Sequence, residues 1–147
     1  MDFGARDAGR RPALFAWGGV EPMATPFDRS LSRYFDAYTA HDAEGCAAAF
    51  TAQAEFLHPW GAALIGRAAI RDAHVEWFEE GETDKRWRVD YWMSDGYKGN
   101  ALIRFSAALP DGSRLQGATL AAMENIDGEW LIRVASLTLE PPAGDLA

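Results

Sequence analysis

Among the side chains able to do acid–base chemistry, two stand out by their setting in the sequence. His58 closes the run Ala54-Glu55-Phe56-Leu57-His58 ahead of Pro59. An imidazole with an ordinary pKa near ~6.5 that stays neutral in an apolar pocket can accept a proton at cytoplasmic pH. Tyr34 lies in Leu31-Ser32-Arg33-Tyr34-Phe35, where a buried ring still leaves a phenol able to donate to a substrate carbonyl. These two are the candidate catalytic pair, Tyr34 as donor and His58 as base. The structural alternatives are a core aromatic for Tyr34 and a strand-end hydrogen bond beside Pro59 and Trp60 for His58. Tyr38, one turn beyond Tyr34, shares its face, and Trp60, Trp77, Trp87 and Trp92 read first as core residues, some of which should line any pocket, with Trp60, Trp77 and Trp92 the candidate walls. Asp90, Arg104 and Glu124 each place a charge inside an apolar strand. Pointing inward they would need pairing and would line a substrate pocket, and pointing outward they would be ordinary surface.

His41, beside Asp42, reads as a solvated turn residue, and His74 as a helix residue that packs or faces solvent. No His or Cys spacing of the kind zinc uses is present, nor a G-x-x-x-x-G-K or G-x-G-x-x-G loop, so neither a metal nor a cofactor is expected. With 14 Lys plus Arg against 22 Asp plus Glu, the net charge of -8 disfavours nucleic acid as a partner. The single cysteine, Cys46, sits among alanines and suits a reducing cytoplasm. No apolar stretch approaches the ~20 residues of a membrane span. Residues 13–20 are broken by two glycines and are short for an export signal, so a cytoplasmic protein without membrane contact is expected.

The elements that must position these residues follow from periodicity. At 147 residues the chain suits one domain. Residues 1–24 show no period of 2 or 3.6 and read as a flexible extension, and 25–142 as the domain. The rival for the extension is that Leu14, Phe15 and Trp17 dock on the domain as a lid or subunit contact, and Met23 is an alternative start. Thr25-Pro26-Phe27-Asp28 is a helix start, and Phe27, Leu31, Tyr34, Phe35 and Tyr38 mark one buried face. Asp42 caps a short second helix with Cys46, Ala47 and Phe50 inward. A strand over 54–58 ends at Pro59, and after Gly66 a third helix runs over 67–80 with Ile70, Ala73, His74, Trp77 and Phe78 at helical spacing.

Four strands follow, over 86–94, 100–109, 113–126 and 129–139, joined in part by the turns Pro110-Asp111-Gly112 and Asp127-Gly128. They read as an antiparallel meander that is apolar on both faces. Trp87, Val89, Tyr91 and Met93 alternate with Trp92, and Ala101, Ile103 and Phe105 with Leu102. The helices cover one face, and a second copy of the chain is the economical cover for the other, so a homodimer through the sheet is expected.

Helix, short helix, strand, helix and meander, in that order over 27–139, resemble the nuclear transport factor 2-like superfamily, which includes ketosteroid isomerases and SnoaL-like polyketide cyclases. The matching pieces are Tyr34, His41-Asp42, Phe50, His58-Pro59 and Gly66-Arg67-Ala68-Ala69-Ile70. The resemblance implies a cone-shaped α+β fold, three N-terminal helices packed in a curved, mainly antiparallel sheet around a deep hydrophobic pocket, commonly in homodimers. It places Tyr34 at the isomerases' oxyanion-donating tyrosine, and His58 at their base, an aspartate likewise followed by proline. Their second oxyanion donor falls at Ala122, which leaves that triad incomplete. The Arg-x-Asp pair of limonene-type epoxide hydrolases falls at Arg104-Phe105-Ser106, without its carboxylate, while Arg88-Val89-Asp90 carries the right letters on the preceding strand. The function implied is that of a SnoaL-like protein binding a small hydrophobic molecule. It would be a cofactor-free acid–base enzyme of isomerase, cyclase or dehydratase type acting on a carbonyl or polycyclic compound. The alternative is a non-catalytic ligand-binding or dimerisation module of the same fold.

Overall fold

Thr25 and Asp28 are bonded in the turn just ahead of the first helix, whose N-cap is Phe27 and not Thr25, with no side-chain capping bond. The Thr25 hydroxyl oxygen accepts from the Phe27 N–H at 3.0 Å, and the Asp28 carboxylate accepts from the Thr25 N–H at 3.2 Å and from its hydroxyl at 2.8 Å. The computed structural model describes residues 24–141. Residues 1–23, with Leu14, Phe15, Trp17 and Met23, lie outside the described residues. Helix α1 spans Asp28–Thr39 and buries Leu31, Phe35 and Tyr38 on one stripe. Helix α2, Ala43–Ala48, is capped by Asp42, whose side chain accepts from the Gly45 N–H at 3.0 Å. It buries Cys46 and Ala47, and burial pushes the Cys46 thiol up to about 12.

Strand β1, Phe50–Leu57, begins well ahead of the expected 54–58. Its partner is the last strand of the chain, which it joins in parallel through Phe50↔Ile132 and Glu55↔Val134 to Leu57↔Ser136, while the Ala49 carbonyl accepts from the Ile132 N–H at 2.9 Å. A pairing between the two ends of the fold leaves no local signature. A two-residue strand β2, Leu64–Ile65, also unexpected, folds back on Glu55 and Phe56. Gly66 follows with φ of 89° and donates its N–H to the Ala54 carbonyl at 2.8 Å, a turn that only glycine adopts without strain. It leads into helix α3, Arg67–Glu79.

Strands β3 (Thr83–Ser94), β4 (Lys98–Ala108), β5 (Arg114–Ile126) and β6 (Glu129–Glu140) form the expected antiparallel meander. The six-stranded sheet has the order β2-β1-β6-β5-β4-β3, antiparallel except at β1–β6. It is the α+β, mainly antiparallel curved sheet that the sequence implies, and the core lies between its inner face and the three helices. Ala101, Ile103, Phe105, Ala121 and Met123 on the sheet meet Phe27, Leu31 and Phe35 there. Among the described residues no helix is long and apolar enough to cross a membrane.

The alternation expected on β3 is corrected by a bulge. Val89 pairs with Ile103, but Tyr91 pairs with the next residue, Leu102, so one extra residue is inserted at Asp90. Side-chain direction inverts beyond it. Trp87, Val89 and Trp92 therefore lie toward the core, while Tyr91 and Met93 are 49% and 53% exposed on the outer face instead of continuing the buried stripe.

Candidate active site

The concave side of the sheet and α1 enclose a cavity of about 100 Å³. Its wall is aromatic: Tyr34, Phe35 and Tyr38 from α1, Phe50 and Phe56 from β1, Trp77 from α3, Trp87 and Phe105 from the sheet. Trp60 and Glu80 belong to the same lining yet are exposed, which places the opening between the β1–β2 turn and the end of α3. The volume is of the order of the ~150 Å³ apolar cavities that hold one benzene ring.

One polar cluster stands in this wall. The Tyr38 hydroxyl donates to Oε1 of Glu82 at 2.6 Å, and the Lys85 ammonium donates to the same oxygen at 3.0 Å and to the Tyr38 oxygen at 3.4 Å. Oε2 of Glu82 takes no hydrogen bond from the described residues. Lys85 and Glu82 side chains are 13% and 15% exposed, and the ammonium sits 4.5 Å from the ring centre of Tyr38 and 4.7 Å from that of Phe105. Burial draws Lys85 below the usual lysine range against the opposing pull of Glu82. Burial, and then the Glu82 charge, push Tyr38 far above the ordinary tyrosine value.

Gly81, with φ of 83°, ends α3, and Asp84 takes φ of 49° where the β3–β4 register slips between Thr83 and Arg86. The irregular passage from Gly81 to Asp84 leaves both Glu82, just before β3, and Lys85, on it, in the cavity lining.

The second polar feature is a pair. Nδ1 of His74 lies 2.7 Å from the Ile70 carbonyl, one turn back in α3, and Nε2 lies 2.8 Å from the Tyr34 hydroxyl. A carbonyl only accepts, so Nδ1 carries the proton and Tyr34 donates to a bare Nε2. His74 is fully buried, which pushes its pKa down to about 4 and keeps it neutral, and burial raises Tyr34.

Of the residues read from the sequence as site residues, Tyr34, Tyr38, Trp60 and Trp77 line the cavity. His58 does not pair with Tyr34, whose partner is His74. It stands outside the lining behind Trp60 and Trp77, at ring distances of 5.7 and 5.9 Å, and its Nδ1 accepts from the Trp60 N–H at 3.2 Å. Its Nε2 is buried without a partner among the described residues. The short turn after Pro59 folds Trp60 back over the ring and closes it off.

Asp90 and Arg104 are on the outer face. Asp90 accepts from Arg88 at 2.5 Å and from Arg104 at 2.9 Å, and Arg104 continues to Glu140 at 2.8 Å. Burial pushes the Asp90 carboxyl up, but the two arginines outweigh it and hold it below the usual range. Glu124 lies opposite Lys98, at the end of the sheet away from the β4–β5 hairpin whose Leu109 and Leu115 line the cavity. Trp92 points inward but packs edge-on against Phe27, at 6.2 Å, rather than on the cavity.

Glu82, Lys85 and His74 are the residues that sequence reasoning passed over. A signal did exist, since the chain has only two lysines, Lys85 and Lys98, and the first follows Glu82 by three residues at a helix–strand junction.

Residues 31–131 match the model of one family, the SnoaL-like domain. The chain belongs to this family. Solved structures agree with the fold of the SnoaL-like domain. A domain of unknown function with a cystatin-like fold from Nostoc punctiforme PCC 73102 is 24% identical, with a TM-score of 0.69 over 84% of this chain and 83% of that one. A ketosteroid isomerase-like protein from Erwinia carotovora atroseptica SCRI1043 is 13% identical, with a TM-score of 0.70 over 79% and 95%. An NTF-2-like protein of unknown function from Shewanella oneidensis MR-1 is 14% identical, with a TM-score of 0.65 over 76% and 95%. No curated protein matches the sequence. Within the SnoaL-like domain of this chain, no group of three or more His, Cys, Asp or Glu among the described residues is placed to hold a metal ion.

Proposed function

We propose that this SnoaL-like domain binds a small, mainly apolar molecule in its aromatic cavity and moves a proton on it without a cofactor, as an isomerase, cyclase or dehydratase does. Glu82 is the proton acceptor. The observation that carries this reading is the Glu82 carboxylate itself. One of its oxygens is fixed by Tyr38 and Lys85, and the other takes no hydrogen bond from the described residues in a mainly aromatic wall. A base held in one orientation in a water-poor site needs little reorganisation to take a proton. The Lys85 ammonium, 3.0 Å away, is placed to stabilise the negative charge left on an adjacent carbonyl oxygen. The cavity volume favours a single-ring compound over a polycycle.

The test needs no knowledge of the natural substrate. Exchange of the protons next to the carbonyl of cyclohexanone and of 2-tetralone is followed by NMR in deuterium oxide. Wild type should accelerate it, and Glu82→Gln should lower the acceleration by about 10²-fold. Binding of these ketones without any exchange would instead favour a non-catalytic ligand-binding module. That second reading draws support from the cluster's internal pairing, which leaves a single carboxylate oxygen for chemistry.

The outer face supports a homodimer. Tyr91, Leu102 and Leu120 form one row across β3, β4 and β5, and with Met93 they give an apolar surface beside the Arg88–Asp90–Arg104–Glu140 chain. Soluble chains seldom leave such a face uncovered, and a second copy presents the same surface. A cytoplasmic setting fits the buried Cys46 thiol, which burial keeps protonated.

A further inference from the structure

Both cavity tyrosines have already committed their only proton. Tyr38 donates to Glu82 at 2.6 Å and Tyr34 to His74 at 2.8 Å, so a phenol oxygen that faces a ligand here has lone pairs to offer and no hydrogen. For Tyr34 the direction is locked from behind. If His74 switched tautomer, its bare Nδ1 would face the Ile70 carbonyl across 2.7 Å with no proton between two buried acceptors. Protonating His74 is disfavoured as well. It is enclosed by the rings of Tyr34 and Tyr38 on α1, Phe56 on β1, and Trp77 and Phe78 on its own helix, and the Lys85 cation on β3 opposes a second positive charge.

Resting on the cavity reading above, we propose that the site selects a small hydroxylated molecule, a phenol, alcohol or enol that donates to Tyr34. Compounds offering only a carbonyl or ether oxygen at that position are discriminated against. His74 is the positioning residue that sets this polarity. A bound carbonyl belongs instead beside the Lys85 ammonium, so a hydroxycarbonyl compound would use both groups.

Two measurements on the full chain test this. Long-range proton–nitrogen correlation of the His74 ring, with no ligand present, should show Nδ1 protonated and Nε2 bare, and the opposite tautomer would overturn the proposal. Fluorine NMR then compares 4-fluorophenol with 4-fluoroanisole, in which a methyl group replaces the donated proton, and the Tyr34→Phe variant separates the loss of the donor from the added bulk. The phenol should bind about fivefold tighter or more, the gain expected of one added hydrogen bond in a dry site. Tyr34→Phe should bring the two affinities together, and His74→Phe, which releases the Tyr34 proton, should raise the affinity for the anisole. Equal binding of both probes to wild type, or a preference that survives Tyr34→Phe, refutes the selectivity while leaving the cavity reading intact. If neither probe binds at all, the cavity reading is refuted, and the selectivity with it.

Discussion

Glu82, the residue just before β3, and Lys85, the third residue of that strand, meet at 3.0 Å in the lining of one cavity. The left-handed Asp84 between them makes this possible, and the pair stands with Tyr38 in a wall of aromatic rings. Removing Lys85 strands a mostly buried carboxylate. Lys85→Met should therefore cost about 3 kcal/mol in urea denaturation, and the double variant Glu82→Leu/Lys85→Met should recover more than half of that. Additive losses would show that the two side chains do not depend on one another.

The two candidate bases can be separated directly. With cyclohexanone as probe, Glu82→Gln should reduce proton exchange by about 10²-fold, whereas His58→Ala, which alters a ring outside the cavity lining, should change it by less than about threefold. The reverse order would restore His58 as the base and remove Glu82 from the mechanism.

Acid should weaken the fold through His74. Its folded-state pKa of about 4 lies below the ordinary 6.5, so between these values the unfolded chain binds a proton that the folded chain refuses. The stabilisation is complete above pH 6.5 and falls as the pH drops toward 4. The loss should reach about 2 kcal/mol between pH 7.5 and pH 5, read from urea midpoints at each pH. His74→Phe should flatten that part of the profile, and an unchanged slope in the variant would assign the acid sensitivity elsewhere.

Association through the outer face predicts a charge-sensitive dimer. Light scattering at micromolar concentration should give twice the chain mass for wild type and the single mass for Leu120→Glu, with the thermal midpoint of the variant nearly unchanged at a position that is 51% exposed in the single chain. A monomeric wild type would end the argument.

Much of this protein is written locally in its sequence. The Asp42 cap, the apolar stripe of α1 and the Asp127-Gly128 hairpin rest on contacts between near neighbours, and each forms as its residues dictate. The same stripe carried Tyr34 and Tyr38 to the cavity, because a helical period fixes a face once the helix exists. What the tertiary structure alone decided is which side chains meet. One extra residue at Asp90 sent Tyr91 and Met93 outward and Trp92 inward, and a left-handed residue at Asp84 brought Glu82 and Lys85 together. The parallel pairing of β1 with β6 joined segments that share no local pattern. His74 shows the same division. Its helical spacing with Ile70 and Trp77 predicted packing, but its role as acceptor for Tyr34 depends on the fold bringing these two side chains of α1 and α3 together, a relation between distant segments that no period in the chain encodes.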